Sequence, residues 1–113
     1  MKELYHITNW ENIPRNVGDS FTLKPGPQCA EGLGVYFSDG EPRPDTADGT
    51  YMGSCAAVIK IVAQGNEGWW KTKNSICRKH GRPRTYHSQG RNIKCRILKK
   101  EGWGKLICSW EWA

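Results

Sequence analysis

The stretch Ala56-Ala57-Val58-Ile59-Lys60-Ile61-Val62-Ala63 is the strongest strand signal in the chain. Its apolar run is nearly continuous, because Lys60 is the only charged residue in it. A short apolar run of this kind is typical of a buried strand. We therefore predict a strand over residues 56–63.

Toward the N-terminus, the chain predicts two strands and a short helix. Residues 3–8 alternate apolar and polar side chains, which indicates a strand. Thr8 and Glu11 have the spacing of a capping box, so we expect a short helix that begins after Thr8 and ends before Pro14. Residues 21–23 predict a second, shorter strand.

The segment that leads into residues 56–63 is rich in glycine. Residues 32–38 read Gly-Leu-Gly-Val-Tyr-Phe-Ser, which we interpret as a loop entering a strand. Residues 39–50 contain two Asp-Gly pairs and two prolines, and they predict a long polar loop.

Toward the C-terminus, two further strands are predicted. Residues 64–75 indicate a turn with exposed aromatic side chains, and residues 77–92 indicate a basic loop. Residues 93–99 alternate apolar and basic side chains, which favours a strand. Residues 105–112 predict a last strand. One face of that strand would carry Leu106, Cys108, Trp110 and Trp112.

Length and composition limit the classes of protein that fit. The chain has 113 residues and shows no linker or repeat, so we expect a single domain over residues 1–113. Six Trp, four Tyr and two Phe argue against a disordered chain. There is no apolar run of ~18 residues and no apolar N-terminal segment, so we expect a soluble, cytoplasmic protein without membrane partners. The five cysteines are odd in number and form no Cys-x-x-Cys pair, which fits a reducing compartment.

Charge divides the chain into two unequal halves. Residues 1–56 hold four Lys and Arg against eight Asp and Glu, a net charge of −4, whereas residues 57–113 hold thirteen against three, a net charge of +10. Cations interleaved with aromatic rings suit single-stranded nucleic acid or a structured RNA, because cations bind phosphates and flat rings stack on bases. The predicted nucleic-acid-binding residues are Lys71, Lys73, Arg78, Lys79, Arg82, Arg84, Arg91, Trp69 and Trp70. A solvated cationic surface without a partner is the alternative.

Two short motifs carry a resemblance to a known family. Leu4-Tyr5-His6-Ile7-Thr8 and, further along, Gly32-Leu33-Gly34-Val35-Tyr36-Phe37-Ser38-Asp39 resemble the front half of the ADP-ribosyltransferase fold, in the branch of the poly(ADP-ribose) polymerases and diphtheria toxin. The resemblance implies an α+β fold. Its sheet would be small, split and mostly antiparallel, with one or two short helices.

The resemblance also implies a site and a cofactor. It implies NAD as the cofactor, with His6, Thr8, Gly34, Tyr36 and Tyr51 in contact with it. In this interpretation His6 binds the adenosine ribose and Tyr36 stacks on the nicotinamide. The catalytic residues would be Glu111, His6 and Tyr36, since Glu111 lies on the predicted last strand.

The chemistry that the resemblance implies is cleavage of the nicotinamide–ribose bond. A carboxylate beside the ribose stabilises the positive charge that develops in this cleavage. ADP-ribose would then pass to a macromolecular acceptor, for which the basic half favours nucleic acid. A small domain of this type would suit a phage or toxin-like effector.

Two other classes of function stay open at this point. The first is a non-catalytic nucleic-acid-binding module, and the second is a small basic protein that inhibits a host enzyme through its aromatic surface. A zinc site formed by Cys77, His80, His87 and Cys95 is a further but weaker alternative, because only Cys77 and His80 have a short ligand spacing. We therefore predict no metal.

Overall fold

The protein is described here by a computed structural model that covers residues 1–26, 32–41, 56–65, 67–72, 85–102 and 104–113. Eight strands lie within these ranges and form one sheet. The strands are β1 (Lys2–Asn9), β2 (Ser20–Leu23), β3 (Tyr36–Ser38), β4 (Ala56–Ala63), β5 (Trp70–Lys71), β6 (Thr85–His87), β7 (Ile93–Glu101) and β8 (Lys105–Trp112). A single turn of 3₁₀ helix, Trp10–Asn12, follows β1.

The order of the strands across the sheet is β2-β7-β8-β4-β1-β3-β6-β5. All neighbours are antiparallel except β4 and β8, which are parallel. The expectation of an α+β fold with a split sheet and short helices, similar to an ADP-ribosyltransferase, is therefore wrong. Over the described ranges the sheet is single and mixed, and no α-helix accompanies it. Nor do those ranges contain a helix that could cross a membrane.

The predicted helix after Thr8 does not form, because β1 remains paired with β4 through these residues. Thr8 and Asn9 are still in register with β4, opposite Ala57 and Ala56, so the strand continues through the predicted cap. Asn9 takes the cap position and makes no side-chain capping bond. Pairing in the sheet provides hydrogen-bond partners for the backbone groups that a helix would have paired internally. Only one turn of 3₁₀ helix follows the strand.

The predicted strands at residues 3–8, 21–23, 56–63, 93–99 and 105–112 are confirmed, with small changes at their ends. Their apolar sides form one face of the sheet, called the inner face below, which carries the core. Among the side chains that are at most 1% exposed are Leu4, Phe37, Ile59, Ile61, Ile93, Ile97 and Leu106. The opposite side of the sheet is called the outer face.

A sheet can bury its own inner face only if it curls, and Trp69 shows how it does so. Trp69 directly precedes β5, which is one edge of the sheet. Its ring nevertheless lies 5.0 Å from the ring of Trp112 and 5.4 Å from that of Trp110, both on β8. It also meets Phe37 of β3 edge to face, with centroids 5.3 Å apart. The segment before β5 therefore closes over the inner face, and the predicted exposure of Trp69 is wrong, since only 7% of this residue is exposed.

Gly68 allows this close approach. Its φ of +82° is in the left-handed region, and a Cβ built on it would lie 2.6 Å from the Trp112 ring. Gly90 offers a matched comparison, because its φ is +81° but a Cβ there would meet only Leu33, at 3.8 Å.

We expect Gly68→Ala to destabilise the protein more than Gly90→Ala. Both variants acquire the left-handed strain of ~1–2 kcal/mol, whereas only Gly68→Ala adds overpacking against Trp112, at ~1–3 kcal/mol. The free energy of unfolding, measured in urea, tests this. Equal losses in the two variants would show that the Trp112 contact does not constrain Gly68.

Candidate nucleic-acid interface

His6 lies on the inner face of β1. Its ring is 5.2 Å from that of Phe37, and its Nδ1 donates a hydrogen bond of 2.7 Å to the carbonyl oxygen of Tyr36. Because a carbonyl can only accept, the proton is on Nδ1. Burial lowers the pKa of His6, and the hydrogen bond to Tyr36 only partly opposes this. The imidazole is therefore held neutral.

Tyr36 lies on the outer face of β3. Tyr5 of β1 pairs with Ser38, so His6 is opposite Phe37 and not opposite Tyr36. The Tyr36 ring instead packs against His87 of β6, with centroids 5.0 Å apart, and its hydroxyl donates to the carbonyl of Gly32. The rings of His6 and Tyr36 consequently face opposite sides of the sheet.

Gly34 of the glycine-led motif is required by packing. A Cβ on it would lie 2.7 Å from Nδ1 of His87 and 2.9 Å from the backbone nitrogen of Ser88. The next residue, Val35, donates its backbone N–H to the Ser88 hydroxyl, at 2.9 Å. The close approach of this motif to residues 87–88 accounts for its small residues without a dinucleotide.

Glu111 is distant from both rings. The register places His6 beside Ile59 and Ile59 beside Leu106, and Glu111 lies five residues further along β8. At a rise of ~3.3 Å per residue this is ~16 Å along the strand. Glu111 is exposed on the outer face, 3.9 Å from the ammonium of Lys94.

The three predicted catalytic residues are thus not brought together. Thr8 shares the inner face with His6, and Tyr51 lies outside the described residues. Binding of NAD by these residues stays a prediction.

The alternative zinc ligands are not assembled within the described part of the chain. His87 is on the outer face of β6 and Cys95 on the inner face of β7, at distant positions in the sheet order. Cys77 and His80 lie outside the described ranges, within which no group of three or more potential ligands is found. Burial raises the pKa of Cys95 and of Cys108 to about 12, so both thiols are protonated at neutral pH.

The predicted nucleic-acid-binding residues are only partly described. Lys73, Arg78, Lys79, Arg82 and Arg84 lie outside the described ranges. Trp70 and Lys71 are exposed on the edge strand β5, and Arg91 is exposed just before β7. The guanidinium of Arg91 lies over the Trp112 ring, 4.3 Å from its centroid.

A groove of about 560 Å³ crosses three strands at the other edge of the sheet, and we call it the basic groove. It is lined by three consecutive residues from each of β2, β7 and β8, in register. One row across the outer face is Ser20, Arg96 and Ser109, and the next is Thr22, Lys94 and Glu111. All six side chains are exposed.

The basic groove was not predicted as a site. Its signal was present in β7, where Ile93, Cys95 and Ile97 are buried and Lys94 and Arg96 between them are exposed. That alternation places the two cations on one face. The flanking hydroxyls of β2 and β8 became neighbours only through long-range pairing.

Comparison with known proteins gives no relative to guide the assignment, since no family model, no curated protein and no solved structure matches this chain. The assignment of function therefore depends on the geometry and charge described above.

Calorimetric titration with NAD tests the site that the resemblance implies. One bound dinucleotide can contact at most one of the two rings, because they face opposite sides of the sheet. We expect that His6→Ala and Tyr36→Ala do not both weaken binding of NAD. A loss of ~10-fold or more in both folded variants would contradict the opposite placement of the rings.

The lowered pKa of His6 predicts a loss of stability in acid. Because the unfolded chain takes up this proton at a higher pH than the folded one, the stabilisation is complete above the ordinary pKa of 6.5 and declines as the pH falls below it. We expect His6→Gln to reduce the fall in unfolding free energy between about pH 7.5 and about pH 5.5. Urea titrations at the two pH values measure the unfolding free energy, with Tyr36→Phe as the control. A fall in His6→Gln as steep as that of the native protein would contradict the prediction.

Proposed function

We propose that this protein is a non-catalytic module that binds single-stranded nucleic acid through the basic groove. The observation that carries the proposal is the position of Arg96 and Lys94 on the central strand of the groove, with hydroxyl side chains beside them. Phosphate contacts in nucleic-acid complexes come from this combination of cations and hydroxyl donors.

The charges of the basic groove differ from those elsewhere on the outer face. Lys60 lies 3.3 Å from Glu3, and Lys105 is bound by Glu41 and Glu101, so these cations are already paired. Among the described residues, no carboxylate lies within 4.0 Å of the Arg96 guanidinium. Arg96 is therefore available to an external anion.

Lys94 is only weakly engaged. Its ammonium is 3.9 Å from Glu111, and both side chains are more than half exposed. Exposed ion pairs of this kind contribute little free energy and are screened by salt. A phosphate that also accepts hydrogen bonds from Thr22 or Ser109 can replace this contact at small cost.

Single strands are favoured over duplexes because aromatic rings stand near the cations of the site. Trp110 belongs to the middle row of the basic groove, and its indole, on the inner face, lies with Trp112 and Arg91 at the adjoining end of the sheet. Proteins that bind single strands combine a cationic groove with aromatic rings on which unpaired bases stack. The positive half of the chain, residues 57–113, supplies long-range attraction to such a polyanion.

Binding of a fluorescent single-stranded oligonucleotide, measured at several salt concentrations, tests the proposal. We expect Arg96→Gln to weaken binding and to reduce the slope of log affinity against log salt by ~0.7, because one phosphate contact is lost. Lys71→Gln is the matched control, since it removes the same charge from β5 at the opposite edge of the sheet.

Two outcomes would contradict the proposal. Binding that does not depend on salt would exclude phosphate contacts. A larger loss in Lys71→Gln than in Arg96→Gln would place the interface at the other edge of the sheet.

A further inference from the structure

A second cavity, of about 360 Å³, lies beside the indoles that close the inner face, and we call it the indole cavity. Its wall includes Trp69, Trp110, Trp112, Arg91 and Glu67. This volume is near the lower limit for ligand pockets, ~300–1,000 Å³, so it suits a small ligand rather than a dinucleotide.

The aromatic wall favours a flat, uncharged ring. The three indole centroids are 5.0–5.4 Å from one another, and they present both faces and edges to their surroundings. Arg91 already lies over the Trp112 ring, at 4.3 Å, where a cationic ligand would otherwise bind. A second cation would be repelled by Arg91, whereas a heteroaromatic ring can stack on the plane of the guanidinium or pack against the indoles.

The polar wall specifies what the ring must carry. The Glu67 carboxylate can only accept hydrogen bonds and the Arg91 guanidinium can only donate them. A ligand that satisfies both needs a donor and an acceptor on its edge. All nucleobases have both, and among their donors the exocyclic amino group of cytosine is a known partner of a carboxylate.

The indole cavity and the basic groove lie on opposite faces of the sheet but come close at one of its ends. The Trp110 indole, on the inner face, lines the cavity, whereas its neighbours Ser109 and Glu111, on the outer face, line the groove. Arg91, in the indole cavity, is three residues from Lys94, in the basic groove, so their Cα atoms are at most ~11 Å apart. A strand whose phosphates contact Lys94 therefore passes close to the indole cavity.

We propose that the indole cavity binds one unpaired, amino-bearing nucleobase of the nucleic acid that the basic groove holds, an inference that rests on the proposed function. Trp112 and Trp110 provide the aromatic surface. Glu67 accepts from the exocyclic amino group, and Arg91 donates to an acceptor on the same base.

Titration with cytidine monophosphate and uridine monophosphate tests the inference, because cytosine carries an amino group at C4 and an acceptor at N3, whereas uracil carries an oxo group at C4 and a donor at N3. The indole N–H signals, observed by NMR, report the site without removal of a core residue. We expect cytidine monophosphate to shift the Trp112 signal and to bind at least ~5-fold more tightly than uridine monophosphate. The signal of Trp10, in the 3₁₀ turn beside the start of β4 and so at the opposite end of that strand from the cavity, is the internal control.

Two surface variants complete the experiment. Glu67→Gln should abolish the preference for cytidine, because an amide can also donate to the oxo group of uracil. Arg91→Gln should weaken both ligands, whereas Lys100→Gln, near the far end of β7, should change neither.

The outcomes separate this inference from the proposed function. Equal affinity for the two nucleotides, or no shift of Trp112, would overturn it even where the native protein binds oligonucleotides in a salt-dependent way. If the nucleotide preference is observed but Arg96→Gln leaves oligonucleotide binding unchanged, base binding in the indole cavity is supported and phosphate binding in the basic groove is contradicted.

Discussion

The structure depends on the contact of Trp69 with Trp110 and Trp112 across the inner face. Within the described ranges no helix packs on the eight-stranded sheet as a second layer, and the sheet curls so that its own apolar side is covered. Trp69 precedes the edge strand β5, whereas its two partners lie on β8, near the opposite edge. This contact holds the sheet in its curled form, and Gly68 provides the space for it.

Once the sheet has curled, the alternation of each strand decides which side chains meet a ligand. His6 and Phe37 point into the molecule, and Tyr36 and His87 point outward. The same rule buries Cys95 and exposes the cations on either side of it. The proposed binding sites therefore lie on the outer face of β2, β7 and β8, and at the rim where the indoles meet Arg91.

The strands were predictable from the sequence because each has its own local pattern, most clearly in residues 56–63 and 105–112. The helix predicted from the capping box at Thr8 is wrong because pairing with β4, a long-range interaction, overrides the local preference for a helix. The turn residues beside Trp69 predict that it is exposed. The rings that cover it, those of Trp110 and Trp112, come close only when the sheet curls. The basic groove was beyond prediction because Ser20, Arg96 and Ser109 become adjacent through pairing of distant segments.

The distribution of ion pairs explains why the interface is local although the positive charge extends over half of the sequence. At the centre of the outer face the pKa of Glu3 is lowered by the Tyr5 hydroxyl and by Lys60, and that of Glu101 is lowered by Lys105. These carboxylates remain ionised and neutralise the cations beside them. Arg96, in the middle of β7, has no such partner within the described ranges. In the proposed function, a polyanion is attracted by the field of the whole half, and the contact forms where the charge is not already balanced.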